Sequence, residues 1–329
     1  MKKMKTAKVS IIIPVFNRAD VVKDAVMSVL LQTYEDIELV VVNDGSTDHT
    51  GQILGILKRK WPRTITILEQ KNAGPGPARQ LGTSISKGDF IQYLDSDDIL
   101  LDRKFELQVA LLTQRTDTDI CYGISYQEDH RFSPPIKIGP IRETGNNVTY
   151  LFPRLLNSRW WTTSCPLYRR ELINSIGPWR DLINEEDWEF DARAGRVNKR
   201  LSWVPHTVSI RRINIRNDHL SYEGMTNPRK LSDRIIAKRI IFQCAVDAEV
   251  SKKGPEMDRF VKECLILARQ TGALGLVEDS KAMILLGQEA NEKRGFLYIV
   301  LKCYSFLGHL IGWNKTAKLS KRLGAIIGR

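Results

Sequence analysis

Tyr93-Leu94-Asp95-Ser96-Asp97-Asp98 ends an apolar run that starts at Phe90 and delivers three carboxylates within four positions. A run that closes on Leu94 reads as a strand buried in a sheet. Asp95, Asp97 and Asp98 then fall at its carboxyl end, where open α/β sheets bind ligands. Carboxylates packed this tightly raise one another's pKa unless a cation or a sugar hydroxyl group compensates. Hard carboxylate oxygens suit Mg2+ or Mn2+, which keep several waters and bridge to a substrate diphosphate through one or two protein carboxylates. The same residues also suit a plain structural task, capping a helix that begins near Asp102.

Upstream, Val9 to Pro14 (VSIIIP) is a continuous apolar run, rich in β-branched residues, that suits a parallel strand buried on both faces. Asn17 and Asp20 are placed to cap the helix that follows, where Val21, Val22, Ala25, Val26, Val29 and Leu30 recur at helical spacing. Ile37 to Val42 is a second buried strand, and Asn43-Asp44-Gly45-Ser46 a turn. A helix from about Asp48 to Lys60, a strand from Thr64 to Leu68 and a Gly/Pro loop from Lys71 to Arg79 come next, then the strand Phe90–Leu94. Downstream, Phe105 to Leu112 reads as a helix and Ile120 to Tyr126 as a strand. This alternation predicts an α/β fold with a doubly wound, mostly parallel sheet. One rim of that sheet would gather Phe16, Asn17, Asp44, Arg79 and Asp95 to Asp98.

Gln127 to Asn147 is polar and contains proline, and reads as a loop over a site. From Arg229 onward the pattern is helical almost throughout. The chain of 329 residues therefore divides into residues 1–126, residues 127–228 of the same domain, and residues 229–329, a helical, basic extension.

The net charge of +12 is uneven: from Lys293 to Arg329 there are eight Lys or Arg and no Asp or Glu. A nucleic-acid partner is not indicated, because the rest of the chain is near balance and no nucleic-acid motif is present. A basic tail favours an anionic membrane surface. Phe296 to Trp313 is apolar but broken by Lys302, His309 and two glycines, so an interfacial helix fits better than a spanning one. A helix packed on the protein, with a solvated basic tail, is the other reading. Five cysteines without a CxxC pair suggest reduced thiols and a cytoplasmic protein. The basic start and short apolar run to Val15 lack a cleavage site and read as a strand, not a signal peptide.

Three features support a nucleotide diphosphate ligand. Asp44 follows a buried strand, as an acid that hydrogen-bonds a base or ribose would, or as a turn residue would. Gly74 and Gly76 let the backbone approach closely beside Arg79 at a helix start. The acidic exit supplies a metal ligand. A GxGxxG turn after the first strand is absent, which argues against a dehydrogenase.

Taken in order, VSIIIPVFN (Val9–Asn17), VVVNDGSTD (Val40–Asp48), NAGPGPAR (Asn72–Arg79), YLDSDD and INEEDW (Ile183–Trp188) closely resemble the inverting nucleotide-sugar glycosyltransferases of family two, which have the GT-A fold. The resemblance spans Val9 to Ser221, and it implies that residues 1–126 are the nucleotide-sugar-binding half and residues 127–228 the acceptor-side half of the same catalytic domain. It implies that Pro14 and Phe16 lie against the base, that Asp44 hydrogen-bonds it, and that Arg79 lies near the diphosphate. It further implies Asp95 and Ser96 at ribose and sugar, Asp97 on Mn2+ or Mg2+ in a DXD-like role, and Asp98 behind them or as a cap. On the acceptor side it implies Trp161 to Arg170, Ile176 to Trp179, and Glu186, Asp187 and Trp188, with Asp187 as general base. Trp160 and Trp161 suit either an acceptor platform or core packing. Gln80 stands where the family commonly has Asn. The stretch Arg211 to Ser221 follows the usual basic, His-containing pattern only loosely, and His219 suits a metal or diphosphate contact or a structural role.

The expected activity is transfer of a sugar from a nucleoside diphosphate donor, UDP by family frequency, to a glycan or lipid-linked acceptor. The expected setting is surface polysaccharide or cell-envelope glycan synthesis at the inner face of a membrane. A nucleotidyltransferase making the nucleotide sugar, or a non-catalytic nucleotide-sugar-binding relative, are the alternatives.

Overall fold

Strand β1 (Val9–Val15) is buried at every one of its seven residues, Ser10 being its one polar side chain, as a run without an alternating polar face requires. It lies inside a sheet, parallel to β2 (Ile37–Asn43) on one side and to β4 (Phe90–Tyr93) on the other, with β3 (Ile65–Glu69) parallel to β2 beyond. Helices α1 (Val22–Leu30), α2 (Thr50–Lys60) and α3 (Pro75–Ile85) connect these strands. Pairing of β1 with β2 continues to Val15 and Asn43. Pairing with β4 stops at Ile12 and Tyr93, followed by one last bond from Leu94 N to Ile12 O at 3.0 Å.

The far side of the sheet is mixed. Strand β8 (Leu167–Arg169) is antiparallel to β4 and to β6 (Thr118–Asp129), and β9 (Arg200–Ile213) runs parallel to β6. Strand β5 (Ile99–Leu100) is antiparallel to β9, giving the order β3-β2-β1-β4-β8-β6-β9-β5, while β7 (Ile136–Ile138) hangs on β6. Helices α4 (Lys104–Gln114) and α5 (Arg170–Ile176) complete this part. The structure, a computed structural model, describes residues 7–197, 200–215, 227–292 and 295–326, with 321–326 as backbone alone. His219 lies outside the described residues.

The chain forms two compact units. The first holds every described strand, helices α1 to α5 and the segment Arg159–Asp181. The second holds Leu151–Ser158 and the helices α6 (Glu186–Gly195), α7 (Pro228–Asp247), α8 (Pro255–Ala273), α9 (Val277–Ala290), α10 (Gly295–Ile311) and α11 (Trp313–Ile326). Within it α6 packs on α7, and α8 on α9 and α11. No helix among the described residues is long and apolar enough to cross a membrane.

Three local expectations change. Neither Asn17 nor Asp20 caps α1, whose N-cap is Val21 without a side-chain bond. Asn17 sits at a positive φ of 52° and its Oδ1 accepts from Thr47 N at 2.8 Å, so it fastens the turn after β2 instead. The N-cap of α4 is Arg103, again without a side-chain cap, so Asp97 and Asp98 are not its caps. The polar segment after Gln127 is partly strand: β6 continues to Asp129 and pairs with the exposed β7, held by backbone bonds rather than by burial.

Candidate active site

In the first unit, the carboxyl ends of β1, β2 and β4 bring most of the expected donor-side residues to one rim. Phe16 follows β1 and is 42% exposed, while Pro14 is buried within the strand. Asp44 follows β2, buried, with its backbone N–H bonded to Val15 O at 2.8 Å. Its Oδ1 accepts from Gln70 Nε2 (2.7 Å) and Ala73 N (2.8 Å), and its Oδ2 from Gly74 N (2.8 Å). One carboxylate thus fixes the loop leading into α3. Gly74 stands at that entry with φ of 96°, a conformation glycine adopts without a side-chain penalty.

Arg79, buried on the first turns of α3, donates from Nη2 to Asp95 Oδ1 at 2.8 Å. Its guanidinium lies 4.7 Å from the centre of the Trp179 ring, and Trp179 meets Tyr93 edge-on at 4.9 Å. Two residues expected at diphosphate and ribose are therefore joined as an ion pair, on an aromatic support from the Ile176–Trp179 segment.

The acidic turn itself is held from three directions. Asp98 is buried; its Oδ2 accepts from Ser164 Oγ at 2.7 Å and its Oδ1 from Arg212 N at 3.3 Å. Burial first, then repulsion from Asp97 and Asp95, raises its carboxyl well above the ordinary value, against the pull of Ser164 and Arg211. Arg212, on β9, donates from Nε to the Asp97 carbonyl at 2.6 Å and from Nη1 to Asp24 Oδ2 at 2.8 Å. Ser96 is buried and Asp97 half-buried. Among the described residues no three His, Cys, Asp or Glu side chains gather into a cage for an ion. Asp98 is held by Ser164 and Arg212 and Asp95 by Arg79, and the hard carboxylate oxygens of this turn suit an ion whose other ligands are diphosphate oxygens and water. That donor set fits Mn2+ or Mg2+.

Trp160 and Trp161 are buried, their rings 4.9 Å apart, with Tyr122 at 5.3 Å from Trp161. They pack in the interior.

In the second unit, Glu186, Asp187 and Trp188 share the first turn of α6, where negative charge meets the positive end of the helix dipole. The N-cap, Glu185, is in the left-handed region at φ of 59°. Its Oε1 accepts from Arg234 Nε at 2.8 Å and its Oε2 lies 3.4 Å from the buried Lys238 Nζ, both on α7. Lys238 Nζ sits 3.6 Å from the centre of the Trp188 ring, and Trp188 Nε1 donates to Leu155 O at 2.7 Å. Glu185 is thus tied to α7, and Glu186 and Asp187 are half-buried.

Ser164 falls within the Trp161–Arg170 stretch and Arg212 within Arg211–Ser221, but the sequence assigns neither of them, nor Arg234 or Lys238, an individual role. Their partners are not local, since Arg212 acts on a carbonyl 115 positions away.

The chain resembles known proteins at three levels. An uncharacterised glycosyltransferase of Rickettsia bellii is 29% identical over 243 residues, covering 71% of this chain and 32% of that protein, so the chain spans about a third of that relative. The crystal structure of Staphylococcus aureus TarS 1-349 in complex with UDP aligns with a TM-score of 0.66 at 20% identity, over 96% of this chain and 92% of the other. The mannosyltransferase PcManGT of Pyrobaculum calidifontis, in complex with GDP-Man and Mn2+, aligns at 0.54 with 14% identity, over 98% and 88%. These likenesses show a shared GT-A architecture. The model of the glycosyl transferase family 2 matches residues 10–177, about half of the chain and the part that carries the acidic rim, and this protein is a member of that family.

Proposed function

We propose that the protein is a metal-dependent inverting glycosyltransferase that moves a sugar from a nucleoside diphosphate donor, with UDP as the nucleotide, to a hydroxyl of a glycan or lipid-linked acceptor. Its setting is surface-polysaccharide or cell-envelope glycan synthesis at the inner face of a membrane. The observation that carries the reading is the acidic turn Asp95–Asp98 at the end of β4, braced by Ser164 and Arg212 with Arg79 paired to its first carboxylate. The UDP bound to TarS and the GDP-Man and Mn2+ bound to PcManGT support a donor of this class.

Phe16 offers an exposed ring to the base. Asp44 has three hydrogen bonds on a carboxylate with about four acceptor positions, leaving one for a base N–H. The fork of Arg79 carries five donors, enough to serve Asp95 and a diphosphate oxygen together. Asp95 and Ser96 take ribose and sugar. Asp97 would hold Mn2+ or Mg2+, which when bound offsets the charge that develops on the departing diphosphate. Asp187 accepts the proton of the acceptor hydroxyl while its oxygen bonds to the anomeric carbon. The bond to the diphosphate breaks with its electron pair leaving on phosphate, and the single displacement inverts the centre.

The test is incubation with a panel of nucleotide sugars and Mn2+, following free nucleoside diphosphate. One donor should be turned over, and Asp97→Ala should abolish this while donor-protective thermal shifts separate lost binding from lost fold. Asp187→Asn should keep donor binding and lose transfer. Pyrophosphate made from sugar phosphate and nucleoside triphosphate would refute the reading in favour of a nucleotidyltransferase. Donor binding with no turnover across plausible acceptors would leave a non-catalytic relative.

A further inference from the structure

We propose that α10 is a membrane-docking helix that lays one apolar stripe into the headgroup boundary of an anionic bilayer. The inference deepens the membrane setting given above and is independent of the transfer chemistry. Helix α10 has two unlike faces. Leu301, Tyr304 and Gly308 are buried against the second unit: the Tyr304 hydroxyl donates to Ala268 O at 3.3 Å, its ring is 5.9 Å from that of Trp313, and a Cβ added at Gly308 would meet the Trp313 ring at 2.8 Å. That face is fixed by packing. On the other face Phe296, Ile299, Phe306 and Leu310 are 81%, 58%, 66% and 67% exposed, and Cys303 is exposed between them. Positions 296, 299, 303, 306 and 310 advance by three and four in turn, so they form one stripe about 80° wide and about 21 Å long. Residues of this size are rarely left in water as a continuous row.

Charge decides what covers it. From Lys293 to Arg329 the sequence carries eight Lys or Arg and no acid, with Lys302 exposed beside the stripe and Lys315 and Lys318 exposed on α11. Two copies pairing through this stripe would set cation against cation, because helix pairs of this kind rely on opposite charges along their flanks. An anionic bilayer supplies an apolar layer and negative headgroups at once. With no described helix able to cross a membrane, the geometry is that of a helix lying in the surface.

The experiment is flotation of the full chain with vesicles of phosphatidylcholine alone, or of one part phosphatidylglycerol to two parts phosphatidylcholine. The wild type should float with the anionic vesicles only, and Phe296→Ser/Phe306→Ser should cut the bound fraction at least about tenfold, the change expected for losing two anchoring rings. The same variant should release nucleoside diphosphate from a soluble donor at the wild-type rate, so a failed docking proposal and a failed transferase reading give different results. Cys303, the exposed thiol among the described cysteines, takes an environment-sensitive fluorophore whose emission should shift to the blue on anionic vesicles. Equal flotation of the double variant, equal binding to neutral vesicles, or a solution dimer abolished by the variant without any flotation would each overturn the proposal.

Discussion

Arg212→Met is expected to loosen the acidic turn from behind, through the backbone carbonyl of Asp97 rather than through its carboxylate. The side chain is 8% exposed, and its Nε donates to the Asp97 carbonyl at 2.6 Å. A hydrogen bond from a charged group is worth ~1.5–3 kcal/mol. The Asp24 partner is 56% exposed, so that pair adds only ~0–1 kcal/mol after solvent screening. Methionine keeps the stem volume and the backbone bond from position 212 to Asp98, so the expected loss of stability is about 1.5–4 kcal/mol. The functional effect should be larger than the structural one, because a displacement of about 1 Å in a reacting constellation costs on the order of 100-fold in rate. Nucleoside diphosphate release titrated with Mn2+ should show a higher half-activating concentration and a lower maximal rate, with Arg212→Lys intermediate. A variant destabilised by about 1.5–4 kcal/mol yet activated by Mn2+ as the wild type is would show that the arginine braces the sheet and not Asp97.

Lys104 is fully buried on α4, donates from Nζ to Cys165 O at 2.6 Å, and burial lowers its ammonium to about 8. Its folded value lies below the unfolded one, so between about pH 8 and 10.5 the unfolded chain binds more protons and stability gains as pH rises. Relative to Lys104→Met, the wild type should therefore gain about 2 kcal/mol in denaturant titrations between pH 7 and 9.5, and a constant difference would refute the burial argument. Glu185→Gln should cost ~3–5 kcal/mol, because it leaves the buried Lys238 ammonium without its anion, whereas Lys238→Met should cost less; equal urea midpoints for Glu185→Gln and wild type would contradict this. Gly82→Ala places a Cβ 2.5 Å from Ile12 Cγ2, where α3 crosses β1, and should destabilise by ~1–3 kcal/mol in thermal melts; an unchanged melting temperature would mean the helix moves away freely.

The parallel half of the fold was legible because burial on both faces leaves one kind of sequence. Val9–Val15 and Ile37–Asn43 are apolar runs too short for helices, each followed by turn chemistry. The helical end was legible for the complementary reason, a sustained 3.6-residue period. The mixed half was not, since β8 is three residues long, β5 is two, and β9 finds β6 as a parallel partner some 80 positions earlier. Such pairings are set by the whole sheet, not by local pattern. The acidic rim itself was readable from its residues; its supports were not. Ser164 and Arg212 are single polar residues in otherwise ordinary strands or loops, and what they do depends on a carbonyl and a carboxylate that arrive from far upstream.

Pro14 has a consequence for how the rim comes to be open at all. Ile12 O is bonded from Leu94 N on the β4 side, and Val15 O from Asp44 N on the β2 side. Successive residues of a strand direct their amide groups to opposite neighbours, so position 14 turns its nitrogen toward β4. Proline has no hydrogen there to give. The seam with β2 can zip to its end, while the seam with β4 unzips one step past Tyr93, and the two neighbours of β1 part company. A wedge opens between adjacent strands with no bulge and no inserted residue. Any other residue at this position would restore a donor and let the zipper close further, narrowing the gap around which Phe16, Asp44 and Asp95 are set.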